Sequence, residues 1–414
     1  MSTMRKPNVL AIILAGGRGE RLSPLTRERS KPAVPFGGGY RIVDFVLSNF
    51  INSEIYSIFV LVQYKSQSLI DHLTGAWRFG GLLRRQFITV VPPQMRGAEI
   101  WYQGTADAVY QNLNLIEDYA PDLVAVFGAD HIYRMDINQM IQFHLVKGAE
   151  ATVAALPVPI EKARGFGIIE VDDDERMVGF QEKPVRPKPM PSDPNRAYSS
   201  MGNYIFNSKP LVDMLVEDAQ RNTEHDFGKT IIGEMLKQYP VYAYNFLNNE
   251  VPGVHAYEER GYWRDVGDLS SYWSAHMDLL GAAPAFDLNN WHWPIRSEAV
   301  NGLPAKVLGG RIDDSLIGVG SVVRGANIQR SIIGHSVHIQ EDADIQESII
   351  MDHTTVGKGA KLRRAIIDRF NTIEAGEMVG YDPERDARHH YHVDPSGLVV
   401  RARGVTRWPS PSPQ

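Results

Sequence analysis

Between Ile328 and Val379 an aliphatic residue returns every five or six positions. Ile328, Ile333, Ile339, Ile345, Ile350, Val356, Leu362, Ile367, Ile373 and Val379 are spaced 5, 6, 6, 5, 6, 6, 5, 6 and 6 residues apart, so three steps sum to 17. Small or turn-forming residues lie between them: Gly334, Gly357, Gly359 and Gly376. The tetrads Ser315-Leu316-Ile317-Gly318, Ser331-Ile332-Ile333-Gly334 and Ser348-Ile349-Ile350-Met351 repeat the theme, and Ala365-Ile366-Ile367-Asp368 continues it. One inward aliphatic per about six residues is the pattern of a triangular parallel β-helix, each coil having three short faces. An antiparallel β domain competes, but it gives no reason for a period held over ten positions. The stretch supplies about four coils.

The preceding two-thirds of the chain alternates differently. Val9–Leu14, Ser57–Val62, Leu123–Phe127 and Thr152–Leu156 read as short buried strands. Between them, Ile42, Phe45, Val46, Asn49 and Phe50 fall on one helical face. So do Ala106, Val109, Leu113 and Ile116, and later Met140, Ile141, His144 and Leu145. This alternation predicts an α/β fold, a Rossmann-like, mostly parallel mixed sheet with helices on both faces. Phe166–Val171, the acidic turn Asp172 to Glu175, and Met177–Gln181 read as a hairpin. Val185 to Asn195, with its prolines, reads as a loop, Met201–Asn207 as a strand, and Leu269 to Leu280 as a closing helix. The expected division is a catalytic domain over 7–290, a linker over 291–306, a β-helix domain over 307–405 and a flexible tail over 406–414.

Composition excludes several classes of function. A net charge of −6 gives no sign of a nucleic-acid surface. The chain has no cysteine, so disulfides, thiolate metal sites and cysteine nucleophiles are absent, which fits a cytoplasmic protein. Arg5 and Lys6 precede an apolar run, but that run is short, ends in Gly16-Gly17-Arg18 and reads as a strand rather than a leader. No apolar stretch approaches the ~20 residues of a membrane helix. Met1 to Lys6 and Pro409 to Gln414 read as disordered.

The residues able to carry chemistry gather at strand ends. Val9–Leu14 runs into Ala15-Gly16-Gly17-Arg18-Gly19-Glu20-Arg21-Leu22, followed by Lys31-Pro32. Glycines after a strand let backbone N–H groups approach a phosphate, and Arg18, Arg21 and Lys31 add fixed positive charge. An ordinary tight turn is the plain alternative, and neither common phosphate-loop signature is present. Asp130 follows an apolar strand, where a carboxylate suits Mg²⁺ or a helix N-cap. Asp265 is a second candidate ligand, or a partner of Arg264. Glu182-Lys183-Pro184 suits a phosphorylated sugar, with Lys183 as a point charge on phosphate and Glu182 accepting from hydroxyls; a surface ion pair is the alternative. Gly104-Thr105 opens a helix and either donates to a base or phosphate or simply caps it. His335, His338 and His353 sit among polar turn residues with no evident partner and read as surface residues rather than as an acyl-transfer base.

Together these segments resemble the sugar-1-phosphate nucleotidyltransferase family, in its bacterial branch that makes ADP-glucose, from about Val9 to Gly404. Leu14 to Gly19 with Lys31-Pro32-Ala33-Val34, Ile42-Val43-Asp44-Phe45 and Leu47-Ser48-Asn49 match family motifs. So do Trp101-Tyr102, Gly104 to Ala108, Asp130 to Tyr133, Pro157-Val158-Pro159, Glu182-Lys183-Pro184 and Ser200-Met201-Gly202. His225-Asp226-Phe227-Gly228-Lys229 and Tyr262 to Gly267 complete the set. The resemblance implies a left-handed β-helix after the catalytic sheet, and the reaction of ATP with glucose 1-phosphate to ADP-glucose and diphosphate. It implies that Gly16, Gly17, Arg18 and Gly19 hold the ATP phosphates while Arg21 and Lys31 neutralise the departing diphosphate. Gln103, Gly104 and Thr105 would lie near adenine and ribose, and Asp130 and Asp265 would hold Mg²⁺. Tyr102, Gly167, Glu182, Lys183 and Ser200 would bind glucose 1-phosphate. Arg18, Lys31, Asp130 and Lys183 would be catalytic. The nucleophile is already an anion, so the task is to align two polyanions. Like charges ~4 Å apart repel by about 4 kcal/mol at an effective dielectric of 20.

The resemblance further implies a homotetramer, a role in glycogen synthesis and regulation by phosphorylated metabolites acting between the two domains. Two positions depart from the family pattern. Ala129 replaces the usual glycine before Asp130, and one methyl is expected to narrow the metal pocket. Glu28 stands where some members have an activator-binding lysine, leaving Arg27 and Arg29 as candidate effector contacts. A UDP- or dTDP-sugar synthase is the nearest alternative. A non-catalytic regulatory subunit would tend to lose the metal Asp or the sugar-phosphate Lys, and this chain keeps both. A bifunctional acyltransferase would need a partnered histidine in the repeat.

Overall fold

The computed structural model describes residues 6–77, 85–94, 101–298 and 302–405. Of the ends expected to be disordered, Met1 to Arg5 and the 406–414 tail lie outside these residues. No helix among the described residues is long and apolar enough to cross a membrane.

Val9–Ala15 lies inside a nine-stranded sheet. Ser57–Val62 and Leu123–Gly128 run parallel on either side, with Ala11 opposite Ile58 and Leu10 opposite Val124. Phe87–Val91 extends one side, also in parallel. On the other side Arg196–Asn207 runs antiparallel to Leu123–Gly128 and then serves two branches. One is the hairpin Gly167–Val171 and Met177–Glu182; the other is Ala151–Pro159, joined in parallel by Val241–Asn245. Successive residues of the first strand serve opposite cores. Leu10 and Ile12 pack with Val124, Val109 and Leu211, while Ala11 and Ile13 pack with Phe50, Val60 and Phe127. Burial on both faces explains why the strand is a continuous apolar run.

Some expected elements shift. The face Ala106 to Ile116 is split between two short helices, Thr105–Tyr110 and Leu113–Tyr119. Asn112 sits at the break and donates its side chain to Ala108 O (2.8 Å) and Tyr102 Oη (3.0 Å), a local alternative to the helical ladder. The strand expected from Met201 begins at Arg196, and its register shifts between Ser200 and Tyr204. Gly202 lies in that irregularity at φ +69°, which hid the strand's first half from the pattern.

The repeat folds into parallel coils. Ile328, Ile345, Leu362 and Val379 stack in one ladder. Ile333, Ile350 and Ile367 form a second, and Ile339, Val356 and Ile373 a third. All ten positions are buried. Left-handed residues recur at the same step as the aliphatics: Arg330, Glu347 and Arg364, then Ser336, His353 and Phe370. One face of the coils docks on the first part of the chain. Ile332, Ile349, Ile366 and Val400 share a core with Phe36, Phe45, Tyr272 and Phe286. The connecting segment is strapped down as well: Arg296 N donates to Ser48 Oγ (2.8 Å) and Ser297 Oγ to Asp44 Oδ2 (2.6 Å).

Candidate active site

A cavity of about 570 Å³ opens at the carboxyl ends of the parallel strands, where such sheets bind ligands. Gly16 and Gly17 line one side, Tyr102 to Thr105 another, and Lys31 and Asp130 its floor. Gly19 takes φ +61°, and a Cβ there would come within 2.9 Å of the Lys31 Cβ, so the loop needs glycine twice over. The turn Lys31–Ala33 buries the lysine stem and sends its ammonium between two carboxylates. Lys31 Nζ donates to Asp130 Oδ2 and to Asp265 Oδ1, both at 3.0 Å.

Topology brings those carboxylates together from distant sequence. His131–Tyr133 and Trp263–Asp265 form a small antiparallel pair, with Asp265 opposite His131. Asp130 therefore precedes a strand, so it is no helix cap. Arg264 pairs with Glu259 and Asp278, which leaves Asp265 to Lys31. Burial lowers the Lys31 pKa, but the fields of Asp130 and Asp265 outweigh it and the net shift is upward. For Asp130 burial pushes upward, yet His131 and Lys31 prevail and hold the carboxyl well below the usual carboxylate range. At neutral pH Lys31 is thus an ammonium and Asp130 a carboxylate. Ligand atoms of Asp130, His131 and Asp265 lie within 4.8 Å of one another. Two carboxylates against one ammonium leave net negative charge, and carboxylate oxygens are the ligands a hard divalent cation takes, so Asp130 and Asp265 fit one.

Ala129 does not narrow this floor. Its methyl is buried in the core that holds Phe127 and Met201, and it does not line the cavity. Gly128 is the constrained position, because a Cβ there would lie 3.2 Å from Asp130 Oδ1.

The Tyr102 to Thr105 wall is fixed from several directions. Gln63 Nε2 donates to Tyr102 O (3.3 Å), and Gln103 N donates to Asp107 Oδ2 (2.8 Å). Burial raises the Tyr102 pKa. Thr105 is not the helix cap: it occupies the first helical position and donates to Asp226 Oδ2 (2.9 Å).

The remaining expected residues surround the cavity without lining it. Gly167 pairs with Glu182 in the hairpin, and a Cβ on Gly167 would come within 2.6 Å of the Phe180 ring and 3.1 Å of Glu182 Oε2. Lys183 Nζ lies 3.4 Å from Glu182 Oε1, mostly exposed. Ser200 Oγ accepts from Gly202 N (3.3 Å), and Gly202 reaches the cavity. Arg18 is exposed over the Tyr64 ring, and Arg21 Nη2 lies against Gly267, 2.9 Å from where a Cβ on that glycine would sit. Sequence reasoning missed Gln63, His131, Tyr204, Glu224 and Asp226, all of which line the cavity. Gln63 had a signal, since it follows the strand Ser57–Val62 at its carboxyl end. Tyr204 had none, because it reads as ordinary strand core.

Arg27 and Arg29 lie elsewhere, where the first part of the chain meets the coils. Arg29 is buried against Asp368, and Arg27 lines a small cavity with His390 and His392. A second cavity, of about 420 Å³, is lined by Arg41, His335, Asp352, His353 and Arg369 among others. The surface reading of His335 is therefore corrected: it faces this cavity, and neither of its ring nitrogens has a partner. His353 reaches the same cavity but is exposed, as expected. His338 is exposed, as expected.

Comparison with known proteins gives a consistent picture. The model of the nucleotidyl transferase family matches residues 10–281, and a GlmU-like C-terminal hexapeptide model matches residues 304–401. A glucose-1-phosphate adenylyltransferase from Thermodesulfovibrio yellowstonii is 52% identical over 400 residues, covering 96% of this chain and 97% of its own. Proteins of the same name from an Anaeromyxobacter species and from Corynebacterium jeikeium are 50% and 44% identical, over 95% and 97% of this chain and 97% and 99% of theirs.

Proposed function

The chain belongs to the nucleotidyl transferase family, among the glucose-1-phosphate adenylyltransferases, and from that premise we propose that it converts ATP and glucose 1-phosphate to ADP-glucose and diphosphate. The observation that carries this reading is Lys31 held between Asp130 and Asp265 on the floor of a glycine-lined cavity. A purified chain should release diphosphate from ATP only when glucose 1-phosphate and a divalent cation are both present. Release without the sugar phosphate would contradict it.

The sugar phosphate oxygen is already an anion, so no side chain has to remove a proton. Gly16 and Gly17 present backbone donors to the ATP phosphates, with Arg18, Arg21 and Lys31 screening the departing diphosphate. Asp130 and Asp265 would hold Mg²⁺, which supplies charge neutralisation and alignment of the two phosphates when bound. Gln103, Gly104 and Thr105 would face adenine and ribose. Glu182 and Lys183, with Tyr102, Gly167 and Ser200, would take glucose 1-phosphate. ADP-glucose is an activated glucosyl donor, so this reading puts a cytosolic enzyme at the committed step of glycogen synthesis. It acts in the 7–290 domain, joined by the 291–306 segment to the β-helix at 307–405.

The reading extends to effectors. Arg29, Arg41 and Arg369 crowd the junction, each with at least one buried guanidinium nitrogen lacking a partner. Burial and then the fields of Arg41 and Arg29 push Arg369 down to about 9. A phosphorylated metabolite would relieve that crowding, which supports regulation at this junction.

It extends to a homotetramer too. Lys306–Asp313 is a terminal rung paired on one side, with Val322–Gln329, among the described residues. Val307, at the mouth of the coil interior, is 50% exposed and Leu303 is 81% exposed. An open apolar edge of this kind calls for a cover. Two-fold antiparallel pairing about Gly309 and Gly310 sets Lys306 against Asp313 and Val307 against Ile312, so a second copy is self-complementary there. Replacing Val307 and Leu308 together by lysine should lower the assembly mass in light scattering. An unchanged mass would remove this edge from the oligomer.

A further inference from the structure

The nucleotide wall is carried by a residue far from it in sequence. The helix that begins at Thr105 starts against the segment Glu224 to Phe227. Ala106 N donates to His225 O (2.7 Å), and Phe227 N donates to Thr105 Oγ1 (3.0 Å). Thr105 Oγ1 in turn donates to Asp226 Oδ2 (2.9 Å). A Cβ on Gly104 would collide with the carbonyls of Glu224 and His225, so the wall rests directly on this strap. Glu224 and Asp226 also line the cavity. On its far side the strap meets the sugar-phosphate hairpin, because a Cβ on Gly228 would lie 3.1 Å from the Phe180 ring that also packs on Gly167. One short segment therefore touches both halves of the site.

The strap holds its shape through His225. This residue is left-handed, at φ +49°, an uncommon conformation for a side chain of its size. Its ring Nδ1 lies 2.7 Å from Asp218 Oδ2, at the end of the helix Ser208–Asp218. A carboxylate only accepts, so Nδ1 carries the proton. Thr223 braces both: its hydroxyl donates to Asp218 Oδ1 (2.7 Å) and accepts from His225 N (3.0 Å). Asp218 is buried and His225 nearly so. The result is a carbonyl aimed at Ala106 by a side chain that never reaches the cavity.

We propose that His225, tethered by Asp218 and Thr223, is a positioning residue that sets the Gln103-Gly104-Thr105 wall for the nucleotide. This rests on the reading of that wall as the ATP site. Without the tether the left-handed backbone relaxes, the His225 carbonyl turns away, and the wall loses its register with the Gly16-Gly17 loop.

Three variants separate tether from backbone. Asn tolerates the left-handed region and offers an N–H to Asp218, so His225→Asn should keep the KM for ATP within about twofold. His225→Gly keeps the backbone and loses the tether; His225→Ala loses both. The KM for ATP should rise in that order, by roughly tenfold for Ala, with kcat and the KM for glucose 1-phosphate changing much less. Asp218→Ala removes the acceptor, should resemble His225→Gly and covers the case where His225→Ala does not fold. An unchanged KM for ATP in folded His225→Gly and Asp218→Ala, or a His225→Asn variant as impaired as His225→Ala, would overturn the proposal. Equal losses in every parameter would overturn it too, marking a merely structural role. A wild-type chain that releases no diphosphate from ATP would instead sink the functional reading beneath it.

Discussion

Asp130→Asn should abolish diphosphate release while leaving the protein folded. The substitution keeps shape and removes one charge. In the native floor Lys31 is shared at 3.0 Å by Asp130 and Asp265, which leaves net negative charge for a cation. With a neutral amide in place of the Asp130 carboxylate, the ammonium and Asp265 cancel, so the attraction for a divalent cation is lost. Losing that cation removes the charge screen on which the reaction depends, and a drop of about 10³-fold or more is expected. The fold does not rely on this carboxylate, because strand pairing places the position and Lys31 retains Asp265. Diphosphate release together with circular dichroism checks both halves. Turnover within about tenfold of wild type would remove Asp130 from the mechanism.

Lys183→Gln should raise the KM for glucose 1-phosphate by roughly a hundredfold or more and leave the KM for ATP within a few fold. Lys183 makes no buried contact; its ammonium lies beside Glu182, mostly in solvent. Its backbone is nevertheless left-handed, at φ +47°, tied by Lys183 N donating to Phe166 O (3.0 Å). A costly backbone around an exposed cation is intelligible if the charge is meant for a ligand. Gln keeps the length and loses the charge, so phosphate loses its charge-assisted partner. Steady-state kinetics with each substrate varied in turn separates the effects. Equal changes in both KM values would contradict the assigned contact.

The two periodicities carried most of the architecture. The 17-residue step forecast the three aliphatic ladders because each coil must return its residue to the same interior line. What it did not show is how the corners turn. The sequence drew attention to glycines, yet Arg330, Glu347 and Arg364 make left-handed corners as well. The coil pairing holds those backbones in place, a tertiary effect that no local propensity reveals. In the site, strand-end rules located Gly16, Lys31 and Asp130, and they lie together. Tyr204 and Asp226 were not legible as site residues, because the irregularity at Gly202 and the contact between Thr105 and Asp226 exist only in three dimensions. Ala129 shows the converse. Its place beside Asp130 in sequence pointed to the metal pocket, but strand alternation turns its methyl into the core.

The most direct test of the account is diphosphate release from the purified chain with glucose 1-phosphate and Mg²⁺, comparing kcat/KM for ATP, UTP and dTTP. Strong preference for ATP is expected, with ADP-glucose as the co-product. Preference for UTP or dTTP, or ATP turnover that does not need glucose 1-phosphate, would contradict it.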